Sequence, residues 1–92
     1  TAEMLSCGIA SASALAILRR YAVECISLSE HELVIAPQTL ISHGGPPTTT
    51  SGAAGVAALL AVAGSRELRE RFVLTRESRV LLIVTEDFAE EN

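Results

Sequence analysis

Five apolar residues in a row, Val80-Leu81-Leu82-Ile83-Val84, follow Arg79 near the end of this 92-residue chain. A run without polar alternation suits a strand covered on both faces, which is the usual state of a parallel strand between layers of helices. Residues 79–84 are therefore expected to form a buried strand, with Thr85, Glu86 and Asp87 directly at its carboxyl end. Residues 23–28, rich in β-branched and apolar side chains, predict a second, shorter strand. What lies between reads as helix. Two strands joined by helical crossovers imply a parallel α/β arrangement of right-handed connection. Two strands make a poor sheet, so the chain is expected to be a piece of a larger domain or to depend on a partner.

The helical segments have clear signals. Leu15, Leu18 and Ala22, with Ala14, Ile17 and Tyr21, follow helical spacing over residues 14–22, with Ser13 as a fair N-cap. Ser29-Glu30-His31-Glu32 is a capping-box pattern, in which the Ser29 hydroxyl and the Glu32 carboxylate satisfy each other's backbone N–H groups. Pro37 should kink or end the helix that starts there. Residues 43–50, His-Gly-Gly-Pro-Pro-Thr-Thr-Thr, form the plainest loop. Residues 51–63 are almost wholly Ala, Gly, Val and Leu, which favours a helix buried on most sides. Gly52 and Gly55 each lower its propensity by about 1 kcal/mol relative to Ala, which points to close packing or close approach of a ligand. Gly64 suits its C-terminus. Ser65 caps a further helix to about Val73, with Arg66–Glu70 and Glu67–Arg71 at ion-pair spacing.

Composition narrows the chemistry. All seven basic residues are Arg, and there is no Lys. The chain thus has no side-chain primary amine to form an imine with an aldehyde cofactor. Aromatics are 3% of residues, the net charge is −4 and no basic patch stands out, so nucleic-acid binding is not expected. The acids Glu86, Asp87, Glu90 and Glu91 read as a solubilising tail. No apolar run is long enough for a membrane span. Cys7 and Cys25 show no metal or redox spacing, and a reduced, cytoplasmic setting is expected. His31 and His43 have no ligating neighbours at metal-site spacing.

In open parallel sheets, ligands bind beyond the carboxyl ends of strands. That makes Ser29 and Thr85 candidates, although Ser29 has a role as a helix cap. Thr48-Thr49-Thr50-Ser51 sets four hydroxyls before a helix whose first turn is nearly bare backbone. Such a helix start attracts anions, though an N-cap at Thr50 or Ser51 accounts for the pattern as well.

In order and spacing these motifs resemble the C-terminal part of fold-type II pyridoxal-phosphate enzymes, among them threonine and serine dehydratases, serine racemase and diaminopropionate ammonia-lyase. The residues that carry the likeness are Thr1-Ala2-Glu3-Met4-Leu5-Ser6-Cys7-Gly8, Ile17-Leu18-Arg19-Arg20, Ile26-Ser27-Leu28 and Ser29-Glu30-His31-Glu32. Ser51-Gly52-Ala53-Ala54-Gly55-Val56-Ala57-Ala58-Leu59 is similar to the family's Gly/Ala-rich helix, and Ser78-Arg79-Val80-Leu81-Leu82-Ile83-Val84-Thr85-Glu86 to its final core strand. Met4, Thr49 and Asp87 depart from the residues common at those places.

The resemblance implies a piece of the tryptophan synthase β-like fold, with residues 1–92 as one C-terminal segment of a larger lyase domain. It implies that Thr85 contacts the pyridine nitrogen of pyridoxal phosphate and that Thr50 and Ser51, beside Thr49, line the ring's edge. The loop over residues 2–8 would line the substrate side. The substrate would be a small amino acid, the partner the N-terminal portion that carries the lysine and the phosphate loop, and the assembly a homo-oligomer. A non-catalytic α/β interaction or self-association module is the competing expectation, resting on the apolar faces.

Overall fold

A computed structural model describes residues 8, 9 and 11–87. It contains four helices: α1 (Ala12–Arg20), α2 (Glu30–Ser42), α3 (Ala54–Ala63) and α4 (Arg66–Arg71). Among the described residues there is no strand. The expected parallel α/β sheet is therefore corrected to an all-helical arrangement. A strand exists only through its ladder. Residues 23–28 and 79–84 have the composition of strands but form no ladder with one another or with any other described segment. Both instead lie along α3. Ile26 from the first segment and Val80 and Leu82 from the second line one trough of about 300 Å³ over Gly55, Ala58 and Leu59.

The core is the α2–α3 seam. Ala36, Ala53, Val56 and Ala57 are buried there, with Leu28, Leu33, Leu40 and Leu82 packed around them. Alanines at the centre let the two helix backbones approach closely. Leu33, Ala36 and Leu40 repeat at helical spacing, so one face of α2 supplies its whole share. The capping box at its start is formed: Glu32 N donates to Ser29 Oγ at 3.1 Å and Ser29 N to Glu32 Oε1 at 2.8 Å. Pro37 does not end the helix, which runs on to Ser42. One missing backbone bond is outweighed by the seam on either side of it.

Three helices end in the same way. After α2, Gly44 N donates to Ile41 O at 3.0 Å and Gly45 N to Leu40 O at 2.8 Å, with Gly44 at φ 87°. This paired closure needs a left-handed residue, which glycine supplies without strain. The ends of α1 and α4 make the same pair of bonds, yet place Ala22 (φ 52°) and Val73 (φ 55°) at that position. A β-branched residue there is strained.

α1 starts at Ser11 rather than Ser13, Ser11 Oγ accepting from Ala14 N at 3.4 Å. It buries no residue and packs against no other helix. In α4, Ser65 caps as expected, and Arg66 Nε meets Glu70 Oε2 at 3.3 Å. Arg71 pairs with Glu24 (3.4 Å) instead of Glu67, tying α4 to the segment after α1.

Of the large apolar side chains described, Val56 and Val62 are buried, whereas fourteen are exposed, including Leu15, Ile17, Val80, Leu81 and Ile83. With Ala36, Ala53 and Ala57 at the centre of the core, many of the larger apolar side chains are left exposed.

Candidate functional site

The loop before α3 and the end of the last apolar segment meet. Thr48 is 1% exposed, and its Oγ1 donates to the backbone carbonyl of Glu86. Thr49 Oγ1 donates to the Glu86 carboxylate and accepts from Gly52 N at 3.0 Å. Two threonines thus hold both the backbone and the side chain of one glutamate. The contact needs Gly52. A Cβ there would collide with Thr48 Oγ1 and lie 3.4 Å from both N and Cβ of Glu86. One turn on, a Cβ at Gly55 would stand 3.5 Å from Leu82 Cδ2, an ordinary contact. Only Gly52 is required by the close packing of the final segment.

Residues 51–53 form a turn, and the helix itself starts at Ala54, with Ala53 as N-cap and no side-chain cap. Neither Thr50 nor Ser51 caps α3. The hydroxyl that serves a backbone donor here is that of Thr49. The Glu86 carboxylate, held beside the turn that leads into α3, also lies where negative charge is favoured by the helix dipole.

The three residues assigned to the cofactor ring sit around this clasp. Thr50 and Ser51 are half-buried, and Thr85 is exposed. Packing of Glu86 N against Gly52 brings the Thr85–Glu86 peptide over the turn that holds Ser51. The sequence motifs therefore converge, but through Thr48, Thr49 and Glu86. Sequence alone assigns Glu86 no role beyond the end of the expected strand and an acidic tail; its one signal is that it stands two residues past the apolar run and can accept from hydroxyls elsewhere. The surface hollow over Arg66, Arg69 and Val73 and the trough on α3 both lie away from Thr50, Ser51 and Thr85.

Hydroxyls at a segment end and at a helix start are suitable partners for a ring nitrogen and a ring edge. The donor set stops there. No lysine is present in the chain, and no buried side-chain nitrogen or oxygen among the described residues lacks a partner. The described residues thus offer hydroxyls of the right chemistry for a ring nitrogen and a ring edge, nothing for an aldehyde, and neither cavity described is lined by Thr50, Ser51 or Thr85. The loop over residues 2–7, Cys7, Glu90 and Glu91 lie outside the described residues. Cys25 is an exposed free thiol, and among the described residues no group of three or more His, Cys, Asp or Glu side chains could hold a metal ion. No described helix is long and apolar enough to cross a membrane.

Comparison with protein-family models, with curated proteins and with solved structures finds no match to this chain.

Proposed function

We propose that this chain is the C-terminal part of a pyridoxal-phosphate-dependent ammonia-lyase or dehydratase acting on a small amino acid, and that it is inactive alone. The observation that carries the reading is the clasp. Residues 49–51 and 85 were assigned to one ring site by resemblance, and the contacts of Thr48 and Thr49 with Glu86 draw those two stretches together. The cofactor would supply an electron sink for loss of ammonia and a β-substituent. The chain's own part is positioning. Thr85 offers a hydroxyl to the ring nitrogen, Thr50 and Ser51 shape the ring's edge, and Glu86 holds the two stretches in register. The lysine and the phosphate loop come from the N-terminal portion of the same enzyme. A homo-oligomer in a reducing cytoplasm goes with this reading.

The test is spectroscopic. Pyridoxal phosphate mixed with residues 1–92 keeps the absorbance of free cofactor. A longer natural chain carrying an upstream lysine turns yellow and releases ammonia from serine, threonine or diaminopropionate. A gene that encodes these residues without an upstream lysine sinks the reading.

The exposed apolar side chains favour a second reading, a non-catalytic interaction or self-association module. It expects no cofactor band at any length of chain.

A further inference from the structure

From Leu81 to Asp87 exposure alternates with period two. Leu81 (87% exposed), Ile83 (71%), Thr85 and Asp87 face outward, while Leu82, Val84 and Glu86 are half-buried toward the body of the chain. That is the pattern of a pleated strand lying on α3. Yet no backbone hydrogen bond joins residues 79–85 to any described segment. The stretch is a strand without a neighbour, apolar on the side that faces out, with a row of donors and acceptors along its edge. Such edges template pairing with another chain.

We infer that this edge pairs with the same segment of a second copy, antiparallel and centred on Ile83. The charges choose the occupant and the register. A two-fold pair centred on Ile83 sets Arg79 opposite Asp87 at both ends. Leu81 then faces Thr85 of the second copy, and Ile83 faces its own symmetry mate. Moving the centre to Leu82 would set Asp87 against Glu77, acid against acid, and leave Arg79 opposite Thr85. The chain thus carries complementary ends for one self-pairing register and a clash in its neighbour. This inference does not rest on the cofactor reading and competes with it at Thr85. It places Thr85 beside Leu81 of the second copy, so pairing and a cofactor contact at Thr85 exclude one another.

The test needs only the 92-residue chain, without cofactor, followed by sedimentation or light scattering across concentration. The wild type is expected to dimerise. Arg79→Asp and Asp87→Arg, each alone, place like charges opposite one another at both ends and should weaken the dimer on the order of tenfold or more. The double exchange Arg79→Asp with Asp87→Arg restores the pairs and the affinity. Both positions are exposed, and unchanged helical circular dichroism confirms that the variants fold. A monomeric wild type overturns the inference. So does an oligomer that the single reversals leave intact, or one that the double exchange fails to restore.

Discussion

Val73 sits 75% exposed at the end of α4 with φ 55°, a conformation that costs an L-residue about 1–2 kcal/mol. Its backbone bonds to Glu70 and its follower's bond to Arg69 are the reason it is held there. Val73→Gly keeps both bonds and removes the strain, so it should raise stability by about 1 kcal/mol in urea titration. Gly52→Ala should do the reverse. Its new methyl meets Thr48 Oγ1 and the Glu86 backbone, and a loss of about 1–3 kcal/mol is expected, measured the same way. These two positions also show what the residue scale withholds from a sequence reader. Gly52 could be marked as a place of close approach because glycine in a helix-forming run is unfavourable. That Glu86 is what approaches could not, because the bond between Thr49 and Glu86 spans 37 residues and leaves no local trace. Val73 gives no signal at all, since valine is the wrong residue for its conformation.

Helices were legible where the signal was local. The Ser29–Glu32 box, the Ser65 cap and the Gly64 stop all stand where spacing put them. Pro37 was legible as a defect but not in its outcome, because the packing of Leu33, Ala36 and Leu40 on α3 is a tertiary effect. Pro37→Ala returns the bond from residue 37 to Leu33 O and should strengthen α2 by up to about 3 kcal/mol, with more helical circular dichroism. The two apolar segments were misread for the opposite reason. Their composition marks them as strands of a sheet, the last one covered on both faces, yet Leu81 and Ile83 are exposed and no ladder forms, because a sheet needs neighbours that composition does not name. Ser29→Ala, by contrast, removes a cap whose bonds are all in view and should lower stability by about 1 kcal/mol.

As a whole, the molecule centres its core on three alanines and Val56 and leaves fourteen larger apolar residues exposed. Leu81→Lys together with Ile83→Lys should leave monomer stability within about 0.5 kcal/mol, since both side chains are exposed, while lowering the fluorescence of a bound hydrophobic dye. A large loss of stability at concentrations where the chain is monomeric would mean that the outward face is not outward. The clasp at Glu86 has a kinetic consequence. Thr48 and Glu86 are 38 positions apart, so their bond closes a loop that contains the whole of α3 and α4. Closing such a loop takes entropy before it returns any contact. The α2–α3 seam joins helices separated by residues 43–53, a much shorter loop, and so is expected to assemble earlier. Thr48→Val should then accelerate unfolding and leave refolding nearly unchanged, a difference that stopped-flow mixing resolves as a shift in one arm of the chevron. The last described segment is then expected to close late over a seam begun without it, bringing Leu82 to that seam as it does so.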